Sequence, residues 1–320
     1  MKKIIALLIT SLLVLCSHAE EKKVEPSKVF VGIYLENVNS ISYSKNSYQV
    51  DFTLWFRWSD KNIHPNKTFK IKNAKIDSRK DVFSGMVNDG KDYLEVVDVS
   101  ATFNTQWDIN DYPFDNQTLK IGVEEDEDDP ATNSIYVVDE DNIKPSKELE
   151  IPAWKVRSEK SFVTCNTFDT NYGNPALKDQ KSCSTQFNHY VEIEKKSELI
   201  GFKLLVAPII AVLLMMFVVL LPALEGPRMG VPGTALFVLV SCSFIIVNQL
   251  PPSEGFSYAE KLISFGLLQC LLHLCMTVVS MKYLKDGKVE KSQRLDRILL
   301  EIVVVSNLIF GAYTAYVISL

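Results

Sequence analysis

A run of acidic side chains offers the plainest chemistry in this chain of 320 residues. The run consists of Glu124, Glu125, Asp126, Glu127, Asp128 and Asp129. Carboxylate oxygens are the hard ligands that Ca²⁺ takes in proteins, so Glu125–Asp129 form a candidate calcium site of a modulatory kind. A solvated acidic turn is the alternative interpretation of the same run. No other cofactor is predicted.

Motifs for enzymatic chemistry are absent from the sequence. It contains no Gly-rich phosphate loop, no His-Glu-x-x-His pair and no nucleophile elbow. The sequence has no second carboxylate cluster that could act together with the acidic run in catalysis. His189 and His273 are predicted to be structural residues rather than pH sensors. We therefore predict that the chain is not an enzyme.

Charge is divided unevenly along the chain. Residues 20–198 carry 32 Asp and Glu against 23 Lys and Arg, a net of −9, whereas residues 199–320 carry 7 against 9. An acidic domain repels the phosphates of nucleic acids and concentrates cations near its surface. The sequence thus disfavours a nucleic-acid partner and favours cation handling, although acidity also keeps a domain soluble.

Four apolar segments dominate the second half of the chain. They are predicted as helices at about 199–221, 229–247, 258–283 and 298–320, each near or above the roughly 20 residues that cross a bilayer core. Residues 1–19 combine two lysines, an apolar run and small residues, which indicates a cleaved secretory signal. Basic residues between the third and fourth segments favour a cytoplasmic connection there. Both arguments predict a multi-pass protein of the cell (inner) membrane with its N-terminal domain extracellular or periplasmic.

The cysteines sort by compartment. Cys16 lies in the predicted signal, where lipid attachment is an alternative, and three others lie in apolar segments. Cys165 and Cys183 remain as a pair in the exported domain, and such a pair usually bridges. The predicted disulfide would close a loop of about 19 residues and stabilise the domain by about 3 kcal/mol on the chain-entropy account.

The sequence pattern of residues 20–198 indicates a series of short strands. In Tyr48–Trp58 every second residue is aromatic or aliphatic, which is the period of a half-buried strand. Further strands are predicted at 29–38, 93–103, 117–123, 135–138, 153–165 and 184–194. So many short strands in about 180 residues predict a mainly β domain, an immunoglobulin-like β-sandwich.

One predicted loop resembles a motif of a known protein family. The run Tyr112-Pro113-Phe114-Asp115-Asn116-Gln117 resembles the signature loop of the pentameric ligand-gated ion channels, whose core reads aromatic-Pro-Phe-Asp-x-Gln. Further landmarks in the family's order are Trp58-Ser59-Asp60, Ala153-Trp154, Pro208 and Pro251. Thr105 and Leu119 stand where animal receptors have two bridged cysteines, so the chain is similar to the prokaryotic branch.

The resemblance implies a homopentamer in which each β-sandwich stands on an all-α bundle of four transmembrane helices. Its implied partners are membrane lipid, permeant ions and an agonist that is a small molecule or an ion. The residues implied to couple ligand binding to the pore are Asp60, Tyr112, Pro113, Phe114, Asp115, Lys196 and Pro251. Lys196 would face Asp115 in place of the family's arginine, with the charge but without the bidentate fork. The Tyr112-Pro113 bond can settle in cis, and Phe114 needs an apolar cover.

A stripe on the second apolar segment predicts the pore. Spaced alternately by four and three residues, its members are Gly230, Thr234, Phe237, Ser241, Phe244 and Asn248. Five copies around a water-filled axis would hydrate the polar rings and let the phenylalanine rings gate by dewetting. A helix-packing seam of small residues is the alternative.

Selectivity is predicted from the residues before this stripe. Glu225-Gly226-Pro227-Arg228 fits neither the cation branch nor the anion branch of the family. A ring of Glu225 at the inner mouth, together with the acidic domain, favours cations. The alternative functions are an anion-selective channel of the same family and a membrane-anchored sensor that does not conduct.

The family binds agonists between subunits, beneath the loop that joins the last two strands. In that loop Phe168 and Tyr172 are available for stacking or cation–π contact, and Trp55, Phe83 and Glu124 complete the candidate ligand site. Glu124 stands where an animal receptor supplies a tryptophan. This difference argues against amine agonists and makes protons or divalent cations candidate modulators.

Overall fold

A computed structural model gives the architecture of the chain and describes residues 26–125, 134–146, 149–167, 183–196, 198–252 and 255–319. Within these ranges, the side chains at 66, 68, 166, 167, 183, 184, 198–201 and 319 are outside the description. Two β-sheets form a sandwich-like N-terminal region, and long apolar helices follow it.

Nine strands and one short helix make up the described N-terminal region. In chain order they are β1 (Ser27–Ser42), β2 (Ser47–Trp58), α1 (Pro65–Thr68), β3 (Phe69–Ile71), β4 (Ala74–Val87), β5 (Asp92–Asn104), β6 (Gln117–Glu125), β7 (Ser134–Val138), β8 (Trp154–Thr167) and β9 (Cys183–Lys195). All seven predicted strands are present, most of them longer at one or both ends than the sequence indicated.

The strands form a five-stranded sheet in the order β4-β5-β2-β1-β7 and a four-stranded sheet in the order β3-β6-β9-β8. Pairing is antiparallel except between β1 and β7, which run parallel. Along β2 the residues that alternate in the sequence are buried and their neighbours are half-buried, so the apolar face is the core face. The Tyr48 hydroxyl on β2 donates to the Lys120 carbonyl on β6 at 2.7 Å and accepts from its amide at 2.9 Å, which ties the two sheets together.

Two strands and α1 escaped the sequence analysis. The longer strand, β4, lies at the edge of its sheet and, within the described ranges, pairs with β5 alone. It is exposed along almost its whole length, so it has no buried face and no alternating pattern to read. Four large apolar side chains are among its exposed residues: Ile76, Val82, Phe83 and Met86.

Four helices follow the sheets. They are α2 (Glu198–Val218), α3 (Gly226–Gln249), α4 (Tyr258–Lys285) and α5 (Val289–Ser319). Among the described residues, α3, α4 and α5 are long and apolar enough to cross a membrane, and the apolar stretch of α2, Phe202–Val218, is shorter. Pro208 lies inside α2 and Pro232 inside α3.

The boundary predicted for the fourth apolar segment was wrong by nine residues. The sequence placed its start at residue 298, whereas α5 begins at Val289. The added turns carry the charged residues Glu290, Lys291, Arg294, Asp296 and Arg297, which do not contribute to an apolar run but are compatible with a helix. The connection between α4 and α5 is therefore only residues 286–288, and most of the predicted basic loop is helical.

Candidate coupling and pore site

The signature loop, defined here as residues 105–116, joins β5 to β6. Its Trp107 is buried beside Tyr43 and Tyr48, with ring centroids 5.4 and 5.9 Å away, and donates its indole N–H to the carbonyl of Ser42 at 3.0 Å. The Tyr112-Pro113 peptide bond is cis. The loop is thus fixed against the turn between β1 and β2.

Asp115 is the buried centre of a polar cluster in this loop. Its Oδ2 accepts a short hydrogen bond from the Tyr43 hydroxyl and another, at 2.6 Å, from Gln117 Nε2. Its Oδ1 has no hydrogen-bond partner among the described residues. Burial and the adjacent carboxylate of Asp115 raise the pKa of Tyr43 above its ordinary value, so the hydroxyl stays protonated as the donor.

The lysine beside this cluster is Lys195, not the predicted Lys196. The Lys195 ammonium lies 3.7 Å from the Trp154 ring centroid and 5.4 Å from that of Tyr43. Burial lowers the pKa of Lys195, and the charge of Asp115 opposes that shift. Lys196 is exposed, and no ion pair joins it to Asp115 in the described part of the chain. The reason is strand period: Lys195 shares the core face of β9 with Val191 and Ile193.

The signature loop also supplies backbone partners to the start of α4. The first N–H groups of a helix have no partner within the helix. Here the amide of Tyr258 donates to the carbonyl of Asn110 at 2.8 Å, and the amide of Ala259 donates to the carbonyl of Tyr112 at 3.1 Å. Ser257 and Glu260 complete the helix start as a reciprocal capping box. The β-domain and the helix bundle are therefore joined by hydrogen bonds of the main chain.

Side chains extend this contact to two further helices. The Tyr112 hydroxyl donates to Gln249 Oε1 at the end of α3, at 2.9 Å. Phe114 is half-buried, with its ring centroid 5.4 Å from Phe202 of α2 and 5.8 Å from Tyr258 of α4. The helix starts thus cover Phe114, and the α3–α4 connection, where Pro251 is buried, lies beside the same contact. Tyr112, Pro113, Phe114 and Asp115 thus lie in the loop that contacts the helices, and their role in coupling stays a prediction.

Asp60 lies away from that region, which corrects its predicted role. It follows the far end of β2, about 40 Å along the twelve-residue strand from the turn that holds Tyr43. There it accepts hydrogen bonds from the Asn62 amide and the Ser27 hydroxyl, both at 2.9 Å, and these hold the pKa of its carboxyl below the ordinary value. Asp60 orders a turn at the other end of the sandwich.

The predicted pore stripe lies on the face of α3 that the single chain leaves open. The opposite face is buried through Arg228, Pro232, Ala235, Leu239 and Ile246. On the stripe, Phe237 and Phe244 are 72% and 68% exposed, Gly230, Thr234 and Asn248 are exposed, and Ser241 is half-buried. The hydroxyls of Thr234 and Ser241 each donate to the carbonyl four residues earlier, so their lone pairs remain open to water.

A buried ion pair ties α3 to α5 at the opposite end of the bundle from the signature loop. Arg228 is 1% exposed, and its guanidinium binds both carboxylate oxygens of Asp296. Arg228 Nη1 also donates to the carbonyl of Leu221 at 2.7 Å, and the Ser280 hydroxyl donates to Asp296 Oδ1 at 3.0 Å. Helices α3, α4 and α5 and the connection that follows α2 meet at this pair. Glu225, one turn away, is exposed.

The described members of the predicted ligand site do not converge within one chain. Trp55 and Phe83 share a cross-strand row of the five-stranded sheet, with Val96 between them. Trp55 packs on Gly32 and donates its indole N–H to Asp139 at 2.9 Å, and Phe83 is exposed on β4. Glu124 lies on the other sheet and pairs with Lys72 at 2.9 Å. Within one chain, Glu124 is thus separated from Trp55 and Phe83 by its place on the other sheet.

Several predicted residues lie outside the described part of the chain. They are Phe168, Tyr172, Asp126, Glu127, Asp128, Asp129 and the signal segment 1–19. Glu125 ends β6 and accepts a hydrogen bond from Ser134. Among the residues described, no three His, Cys, Asp or Glu side chains are arranged to hold a metal ion. Cys165 is disulfide-bonded, and the backbone of Cys183 is paired with Thr167 on the same strand as Cys165. The Cys165–Cys183 pairing stays a prediction.

Sequence reasoning missed Tyr43, Lys195 and the Arg228–Asp296 pair. The sequence did contain an indication of Lys195, because its spacing from Ile193 places it on the core face of β9. It also contained an indication of the Arg228–Asp296 pair, since charges at membrane helices are usually matched by opposite charges. Tyr43 lies in a turn, and its spacing from Asp115 gave no sign of the contact.

Comparison of the chain with models of known protein families gives no match. Comparison with curated proteins gives none either.

Proposed function

We propose that the chain forms a homopentameric, ligand-gated and cation-selective ion channel in the cell (inner) membrane, with its β-domain extracellular or periplasmic. The observation that carries the proposal is the open stripe of α3. A helix that faced only lipid would gain nothing from exposed Thr, Ser and Asn side chains, whereas a shared aqueous axis hydrates them. The resemblance of the Tyr112–Gln117 run to the family's signature loop supports the same function.

Cation selectivity is supported by the two charged residues at the start of α3. Between residues 204 and 253 the sequence has only two charged residues, Glu225 and Arg228. The positive charge of Arg228 is buried and matched by Asp296, while Glu225 is exposed. A ring of chains would therefore present carboxylates at this end of the stripe, and carboxylate rings favour cations.

Coupling is supported by the contact between the signature loop and three helix ends. A ligand that changes the packing of the sandwich would move the loop, which bonds directly to the start of α4 and to Gln249 of α3. Because α3 carries the stripe, a displacement of its end would change the width of the axis. The agonist proposed is an extracellular small molecule or ion bound between chains, with Ca²⁺ as a candidate modulator.

The test is current recording from the reconstituted protein. Mass measurement in detergent should first give five chains per particle. Currents should then be elicited by a member of a panel of protons, amines, carboxylates and calcium, and their reversal potential should move when sodium is replaced by a large organic cation. A reversal potential that follows chloride instead would identify an anion channel. A pentamer silent to the whole panel would favour a non-conducting sensor.

Cysteine accessibility tests the stripe itself. In a background with Cys242→Ser and Cys275→Ser, the substitutions Thr234→Cys, Ser241→Cys and Asn248→Cys should react with water-soluble thiol reagents while the channel is activated. Leu239→Cys, on the buried face at 0% exposure, and Val238→Cys, on the side toward α2, should not react. Reaction at Val238 with none at Ser241 would mean that a different face of α3 lines the axis.

A further inference from the structure

A polar cleft of about 920 Å³ opens on the four-stranded sheet of the β-domain. Strands β6, β8 and β9 form its floor, and the turns around Asn46, Asn73 and Asn104 form its rim. Neither Trp55, Phe83 nor Glu124 lines it. The cleft is therefore separate from the described members of the predicted ligand site.

The chemistry of the lining differs from that of the domain around it. Asparagine, glutamine and threonine side chains dominate, two lysines and two tyrosines are present, and none of the lining residues that the structure describes is acidic. The domain as a whole is acidic, with 32 Asp and Glu against 23 Lys and Arg. Two ammonium groups in the described lining, of which one is matched by Glu124 outside it, attract an anion, and the amides and hydroxyls suit a ligand rich in hydroxyl groups.

The floor of the cleft is ordered before any ligand arrives. Lys72 Nζ donates to Gln186 Oε1 at 3.1 Å, Gln186 Nε2 donates to Asn188 Oδ1 at 2.5 Å, and Asn188 Nδ2 donates to Thr164 Oγ1 at 2.9 Å. Gln186 and Asn188 are 7% and 4% exposed. The relay fixes both amides in one orientation, and a polar floor that is already ordered loses less entropy on binding.

The rim is equally constrained. The amide of Asn104 donates to the carbonyl of Asn73 at 2.8 Å, and the amide of Thr105 donates to the carbonyl of Asn46 at 2.8 Å. These bonds hold three separate turns around one opening.

Lys120 is the group placed to bind an anion. Its ammonium makes no hydrogen bond or ion pair with the described side chains and lies 5.7 Å from the ring centroid of Tyr190. The second lysine, Lys72, is engaged by Glu124 at 2.9 Å and by Gln186, so its charge is partly matched. Among the described lining residues, Lys120 is the one that offers an unmatched positive charge.

We propose that this cleft binds a small hydroxylated carboxylate, with the carboxylate on Lys120 and the hydroxyl groups on the Gln186–Asn188 floor. This inference is independent of ion conduction, because it concerns binding to the β-domain.

Isothermal titration of the purified full chain in detergent tests it, with gluconate as the probe. Sorbitol is the matched control ligand, since it has the same hydroxylated carbon chain without the carboxylate. Gluconate should bind more tightly than sorbitol, and its affinity should fall as salt is added. No binding of gluconate, or equal binding of the two compounds, would overturn the proposal.

Two variants locate the site. Lys120→Gln should weaken gluconate binding about tenfold through loss of a charge-assisted hydrogen bond, while Lys91→Gln, the same change of charge at an exposed position in the turn between β4 and β5, should not. Equal weakening by both variants would show that only the net charge of the domain matters, which overturns the assignment.

Gly122→Ala tests the floor without changing charge. A Cβ at residue 122 would lie 2.7 Å from Gln186 Nε2, so the amide would have to leave its place beside Asn188. The variant should still unfold in one cooperative transition, at a melting temperature somewhat below that of the parent, and should lose gluconate affinity. Unchanged affinity would overturn the role of the Gln186–Asn188 floor.

Discussion

Replacing Asp296 with alanine is expected to destabilise the helix bundle by about 3 kcal/mol, because Arg228 would keep its charge in a buried place without a counter-charge. Arg228 is 1% exposed, and its guanidinium donates hydrogen bonds to Asp296 and to the carbonyl of Leu221. The loss should appear as a lower melting temperature and less monodisperse protein in detergent.

Two comparisons separate this effect from a general loss of charge. Asp286→Ala removes one member of the exposed pair between Asp286 and Lys288, whose side chains are 43% and 51% exposed, and should cost less than about 1 kcal/mol. The double variant Arg228→Leu with Asp296→Leu should recover most of the stability, since neither charge remains to be matched. If Asp296→Ala were no worse than Asp286→Ala, the pair would not support the bundle.

If the proposed channel forms, truncation of Phe237 or Phe244 to alanine is expected to raise its resting leak on the order of tenfold. In the proposed pentamer five phenyl rings at one level would leave water few partners, so a narrow axis would empty there, and removing the rings would lower that barrier by roughly 1.4 kcal/mol. Leak is measured as the current of reconstituted protein without agonist.

The control for this prediction is a phenylalanine on another helix. Phe217 on α2 is 65% exposed, so Phe217→Ala removes the same ring at a comparable exposure away from the stripe. It should leave the leak unchanged, and Leu239→Ala, at a fully buried position, should lower stability and expression instead. A leak raised equally by Phe217→Ala would place the constriction elsewhere.

The local pattern of apolar and polar residues was enough to predict those strands and helices that bury one face. Strand β2 alternates along its whole length, and the apolar runs marked all four long helices, because in both cases the environment of a residue depends on its own position in the element. Strand β4 could not be found in this way, since both of its faces are largely exposed and its place at the sheet edge is set by pairing with β5.

Residues of the candidate site could be predicted where they belong to a sequence motif. Contacts between segments that are distant in the sequence could not be predicted. The cover over Phe114 was expected, but its providers, Phe202 and Tyr258, lie 88 and 144 residues further along the chain. Lys196 was chosen by its position relative to the membrane helix, whereas the period of β9 selects Lys195. Charge pairing of Arg228 with Asp296 depended on helical turns that the apolar pattern had left out of α5.

The bonds from Asn110 and Tyr112 to the start of α4 bear on how the chain matures during synthesis. The ribosome makes the signature loop some 145 residues before it makes Tyr258 and Ala259. Until then the two loop carbonyls lack their helix partners, and Phe114 lacks Tyr258, the second of its two aromatic neighbours. The last contacts of the β-domain therefore form only after the start of α4 has been made, and a truncated chain that ends before α2 would leave Phe114 without either aromatic neighbour. The β-domain is in this way complete only once the helices have been made.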